Sequence, residues 1–142
     1  MRFPTRNYSG FTLLELMIVT VIIGILAAVS APGFTRSIER AKVKDAEATL
    51  STIYTAEKVY RLDQGTYGTL ANLTSSTNNY VSDPNAAAGG DWTYSTALPA
   101  LPASTFTATA TRNGGGFSTN TITINEVFDG STYGGNHPLR DQ

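Results

Sequence analysis

The chain has 142 residues, with 10 basic and 11 acidic side chains, one histidine and no cysteine. That length holds one domain plus one membrane segment. The near-neutral balance gives no electrostatic case for nucleic acid or an acidic surface, and the missing cysteines exclude a disulfide framework, a cysteine-ligated zinc site and a thiol nucleophile. A hydrolytic triad would rest on His137 alone, near a terminus where weak order is expected.

Residues 1–10 carry Arg2 and Arg6 and no acid, which suits a leader held on the cytoplasmic side of a membrane. Residues 11–31 then offer about 21 positions, enough to cross a hydrocarbon core of roughly 30 Å as a helix. Their only ionisable side chain is Glu15. A carboxylate near the middle of a bilayer costs roughly 2.5–3.5 kcal/mol on insertion scales, so Glu15 calls for a partner. A secretory signal cleaved after Val29-Ser30-Ala31 is a competing reading, but the run exceeds the roughly 7–15 residues of such a segment and contains an acid. An ordinary single-pass anchor is the other. Arg36, Arg40, Lys42 and Lys44 follow the run and, counted alone, favour the opposite orientation; long domains translocate largely regardless of charge.

Gly10-Phe11-Thr12-Leu13-Leu14-Glu15-Leu16 resembles the processing signature of type IV prepilins and type II secretion pseudopilins. The resemblance covers residues 1–67 and is most specific over 10–15. It implies cleavage after Gly10 by a prepilin peptidase, N-methylation of Phe11, and an assembly role in which Glu15 meets the new Phe11 amine of a neighbouring subunit. It also implies a non-enzymatic pilus subunit without cofactor, held in the bacterial inner membrane, which an inner-membrane assembly platform builds into a helical homo-oligomeric filament. The product is an extracellular pilus or a periplasmic pseudopilus. Gly24 and Pro32 match the family positions between which the helix can lose order in filaments, although ordinary transmembrane glycine and proline explain each residue nearly as well. No nucleic-acid partner is expected. The alternatives are the major pseudopilin of a type II secretion system and a membrane-anchored periplasmic binding domain.

After residue 33 the pattern becomes amphipathic. Val43, Ala46, Leu50, Ile53 and Tyr60 recur at helical spacing, while Arg40, Lys44, Glu47, Lys58 and Arg61 fall mostly on other faces. Glu39, Asp45, Glu47 and Glu57 interleave with the basic residues and read as a solvated, subunit-facing surface. The spacing predicts one helix from about 12 to 62, stopped by Asp63-Gln64-Gly65. Residues 68–103 read as a linker-like region with a helical turn at 70–73 and a short strand at 92–94. Alternation over 106–112 and 119–127 around Asn113-Gly114-Gly115-Gly116 predicts an antiparallel hairpin. The expected fold is α+β and, as the resemblance implies, type IV pilin-like: a long N-terminal helix, transmembrane in its first half, packed by its second half against a small antiparallel sheet. The expected divisions are 1–10, 11–32, 33–63 and 64–142.

The tail around Asp129-Gly130 and Gly134-Gly135-Asn136 is loosely similar to the calcium loop of major pseudopilins. Calcium takes six to eight oxygens, and Glu126 and Asp129 are the only acids here, so Asp129 is a weak metal candidate and a plain turn the stronger reading. Asn72-Leu73-Thr74 matches a glycosylation sequon, a pattern common in surface loops. The aromatics Phe11, Phe34, Tyr54, Tyr60 and Tyr67 read as packing rather than as a conducting path.

Overall fold

A computed structural model describes residues 10–77, 79–100 and 102–140, with the side chains of residues 31 and 32 outside the description. Most of the expected leader therefore lies outside the described residues, as does the Pro32 side chain. The chain divides into two units between Ser37 and Ile38.

Helix α1, Leu13–Gln64, runs for 52 residues, close to the span its periodicity predicts. In the first unit every described side chain is exposed, from Gly10 to Ser37. The hydroxyls of Thr20, Ser30 and Ser37 donate to the carbonyls of Met17, Leu26 and Gly33, so these polar groups are satisfied by the helix itself. This helix is long and apolar enough to cross a membrane, with a mean hydropathy of 2.5 over its best window.

In the second unit the helix presents Val43, Ala46, Leu50 and Ile53 to a core in which all four are fully buried. The helix stops as expected. Gly65 takes φ +74° and its N–H donates to the Arg61 carbonyl at 2.8 Å, a left-handed ending that glycine adopts without a steric penalty. A short helix α2, Leu70–Leu73, follows, capped by a reciprocal Thr69–Asn72 box.

Four antiparallel strands form one sheet in the order β1-β2-β3-β4: Trp92–Ala97, Thr107–Arg112, Thr121–Asn125 and Gly134–Gly135. Tyr94, Ala110 and Ile122 stand in one inward row, and Thr93, Thr111 and Thr121 in an outer one. The inward residues join the helix stripe in a single cluster with Tyr67, Leu73, Phe106 and Phe128. Its alanines and aromatics occupy the same strand face because successive strand side chains alternate sides.

Two expectations are corrected here. The region 68–103 is not linker-like: it contains a six-residue strand, a bridge between Tyr67 and Ala103, and the buried side chains of Leu73, Trp92 and Tyr94. Its Ser, Thr and Asn content conceals this, because those side chains replace missing backbone partners. Just ahead of the region, Thr66 Oγ1 does the same for its last residue, accepting the Ala103 N–H at 2.6 Å. Asn85 accepts the Tyr94 N–H and donates to the Tyr94 carbonyl, both at 2.8 Å, on the open edge of β1. The second correction is β4. Gly134 and Gly135 can lie against β3 only without side chains, since a Cβ at either would collide with Thr123 Oγ1 or the Thr121 carbonyl.

Candidate functional site

The N-terminal segment exposes every described side chain. Gly10 is exposed and a Cβ there would meet nothing within 4 Å, so no contact inside the described chain requires glycine. Phe11 is 77% exposed. Thr12 Oγ1 accepts the Glu15 N–H at 3.2 Å, and the Thr12 carbonyl accepts the Leu16 N–H at 3.3 Å. Thr12-Leu13-Leu14-Glu15 is thus a threonine helix cap followed by an acid three residues on, a pattern visible in the sequence that the processing signature overshadows. Glu15 lies in the first turn of α1, where the helix dipole favours negative charge. Among the described residues no hydrogen bond or ion pair engages its carboxylate. Gly24 is exposed in unbroken helix with open space around it.

The head carries a different kind of charge site. Arg112, at the end of β2, donates from Nε to Glu39 Oε1 at 2.8 Å and from Nη2 to Oε2 at 3.2 Å. Its Nη1 donates to the carbonyls of Asp91 and Asn113 at 2.8 and 2.6 Å, and lies 3.1 Å from Asp91 Oδ1. Lys42 Nζ reaches the same Asp91 oxygen at 2.7 Å. Arg112 beside Glu39 holds that carboxyl below the usual range, and the Lys42 hydrogen bond does the same for Asp91.

His137 closes this group from the tail. Its Nδ1 accepts the Leu139 N–H at 3.3 Å, and its Nε2 lies 3.4 Å from Glu39 Oε1 without forming a hydrogen bond. The ring packs between Trp92 and Phe117, with centroids 5.5 and 5.2 Å away. The expectation of a weakly ordered histidine is therefore overturned: His137 is buried, packs on Trp92 of β1, and its backbone N–H donates to the Thr121 carbonyl of β3 at 3.0 Å, which ties the tail to the sheet where a disulfide is not available.

A further correction concerns the acids of α1. Asp45 is exposed as expected, but Glu39, Glu47 and Glu57 are buried. Glu57 Oε2 accepts the Gly68 N–H at 3.0 Å, and burial pushes this carboxyl up to about 7. The sequence contained the signal: Glu39 and Glu57 fall in phase with Val43, Ala46, Leu50 and Ile53, on the stripe that faces the core.

Asp129 forms a local turn. Its Oδ1 accepts from the Ser131 N–H, the Ser131 hydroxyl and the Thr132 N–H, and these bonds hold its carboxyl below the usual range. Among the described residues no group of three or more His, Cys, Asp or Glu side chains could hold a metal ion. Of the aromatics singled out in the sequence, Phe11 and Phe34 are exposed. Tyr54 and Tyr67 pack on Phe106, and Tyr60 on Tyr80.

A family model described as the prokaryotic N-terminal methylation motif matches residues 5–31, and one described as type IV minor pilin ComP, DNA uptake sequence receptor, matches residues 32–121. The chain is 46% identical over 71 residues to type IV major pilin protein PilA of Myxococcus xanthus, covering 50% of this chain and 32% of that protein. It is 44% identical over 62 residues to type II secretion system core protein G of Pseudomonas aeruginosa, covering 44% of each. With core protein G of Aeromonas hydrophila the identity is 35% over 98 residues, 68% of each chain. Against the first two relatives the match spans only a third to under half of their length. No solved structure matches the chain. An apolar helix behind a methylation motif, a four-stranded head on its second half, and a family match over more than half of the sequence place this chain in the family of type IV pilins and type II secretion pseudopilins.

Proposed function

We propose that this chain is a structural, non-enzymatic subunit of a type IV pilus or pilin-like filament, cleaved after Gly10, N-methylated at Phe11 and polymerising through residues 11–32. The observation that carries this reading is the first unit: an apolar helix with every described side chain exposed and one acid without a partner. Such a surface is untenable in water. In this reading lipid covers it before assembly and neighbouring helices cover it afterwards, while Glu15 meets the amine that cleavage creates on an adjacent Phe11. Prepilin peptidase, the assembly platform and the inner-membrane location follow from the same reading.

Intact-mass spectrometry of membrane-extracted protein tests the processing. A mature chain starting at N-methylated Phe11 supports it, and an uncleaved chain or a start at Pro32 sinks it. Gly10→Val should block cleavage while leaving the head folded.

A second reading, the major pseudopilin of a type II secretion system, is supported by the match to the Aeromonas protein over 68% of each chain. Loss of secreted enzymes, rather than loss of surface filaments, on deletion of the chain would favour it.

The name of the matching family model brings a third reading, a receptor for a DNA uptake sequence. Charge weighs against it. Of the 10 basic residues, Arg2, Arg6 and Arg36 precede the head, leaving seven there, whereas of the 11 acids only Glu15 does, leaving ten. Lys42, Lys44 and Arg112 are ion-paired, and Lys58 and Arg61 lie against Tyr67. Phosphate binding draws on cations that are available to release counterions. Retention of duplex DNA that weakens steeply between about 50 and 200 mM salt would restore this reading.

A further inference from the structure

The chain reverses direction just after α1, and one buried side chain fastens that reversal. Glu57 has no exposed surface; its Oε2 accepts the Gly68 N–H at 3.0 Å and its Oε1 has no partner. Gly68 comes this close only because it lacks a side chain: a Cβ there would lie 2.9 Å from Tyr60 Cε1 and 3.2 Å from Asn72 Cβ.

The charged groups on the surrounding elements are committed elsewhere. Lys58 donates to the Glu126 carbonyl and to the Tyr67 hydroxyl, and Arg61 to the Tyr67 hydroxyl. Asp63 accepts from the Tyr80 hydroxyl, and the Glu126 carboxylate from the Phe106 N–H. Of the nearby tyrosines, Tyr54 and Tyr67 face Lys58 with their rings, and Tyr60 packs on Tyr80. Helix α2 carries no charged residue. An ionised Glu57 would hold one N–H and no cation, an expensive state for a buried carboxylate. A protonated one keeps the Gly68 bond on its carbonyl oxygen and places the proton on the other.

We propose that Glu57 is a proton-operated catch: its neutral carboxyl holds the chain reversal at Gly68 against α1, and loss of the proton releases residues 66–74 from the helix. The catch belongs to the head and stands independently of filament assembly. Burial raises the Glu57 carboxyl from 4.5 to about 7, with the Gly68 bond pulling partly back. The closed form therefore binds the proton more tightly than the released form. The catch is fully engaged below about 4.5, and its opening grows roughly tenfold per pH unit until the pH passes about 7, where it levels.

The test is hydrogen exchange of the full chain in detergent micelles, read by mass spectrometry across Tyr67–Leu73 and corrected for intrinsic exchange. In the wild type, protection should fall roughly tenfold per unit between about pH 5 and 7, while amides of α1 around Leu50 stay constant. In Glu57→Gln, which keeps an acceptor for Gly68 and cannot titrate, it should be flat. A flat wild type, or an equal slope in Glu57→Gln, overturns the proposal. Carbon-13 titration of the Glu57 carboxyl in the wild type needs no variant: a midpoint well above 4.5 supports the catch and one at or below 4.5 ends it. A chain that shows the step yet forms no filaments supports the catch and counts only against the filament reading.

Discussion

The two units of this protein use glutamate in opposite ways. In the first, Glu15 stands on an exposed apolar helix with no partner among the described residues. In the second, Glu39 is buried against Arg112 and Glu57 against the Gly68 amide, both partners lying within the head. On the proposed reading Glu15 is completed by another molecule, whereas the head acids take the partners they have from their own fold, fully for Glu39 and through one oxygen for Glu57. Assembly and head stability should therefore be separable by mutation.

The largest effect expected is in the first unit. Glu15→Ala should reduce sheared filaments to near background, leave cleavage after Gly10 largely intact and leave head melting unchanged. Wild-type assembly by that variant would mean that apolar packing alone drives polymerisation and would erase the contrast between the units. Glu15→Asp should be intermediate, since it keeps the charge and shortens the reach.

In the head, Arg112→Ala leaves Glu39 buried without its cation and should cost about 3–5 kcal/mol by thermal or denaturant melting. Leu50→Ala, at a fully buried position, should cost about 2–5 kcal/mol. Neither should change the mature mass. If either blocks leader removal, the head does more for processing than the separation of units allows.

The pH dependence of head melting sharpens the comparison further, because the head acids oppose one another. Glu39 and Asp91 lie below their ordinary values, so the stability they contribute is complete above those values and is lost as the pH falls through the lowered ones. Glu57 lies above its own, so its contribution is complete below 4.5 and is lost as the pH rises through about 7. Melting temperature should pass through a maximum in mildly acidic solution, with Glu39→Gln flattening the acid side and Glu57→Gln the neutral side. The smallest effect belongs to Asp129. Asp129→Ala removes three local hydrogen bonds at an exposed turn and should cost about 1 kcal/mol or less, with calcium leaving the melting temperature where it is. A calcium-dependent rise of several degrees would make the tail a metal site.

Much of the architecture was legible because it rests on period. The stripe of Val43, Ala46, Leu50 and Ile53, the stop at Gly65 and the hairpin around residues 113–116 are each local patterns with a local cause. The charge network was not, because Glu39, Asp91, Arg112 and His137 are brought together by topology across nearly a hundred residues. A glutamate on a helix is usually solvated, and that expectation outweighed the phase of Glu39 and Glu57 on the core stripe. Strand β4 was hidden for another reason: two glycines have no side-chain pattern to read, and they pair because they have none. Thr12 shows a third case, in which one short motif carries both a helix cap and a processing signature.

The Asn85 amide on the open edge of β1 bears on how such subunits behave when crowded. By engaging both the N–H and the carbonyl of Tyr94, it occupies the place a foreign strand would take at the middle of that edge. A membrane stocked with many copies of one sheet-bearing head invites those sheets to zip together sideways, a route that competes with any ordered polymer and is hard to reverse. The stopper is a single neutral side chain, so it guards the edge without adding charge to the surface. If the subunit polymerises through residues 11–32 as proposed, growth by helix and growth by sheet are thereby kept apart in one small molecule.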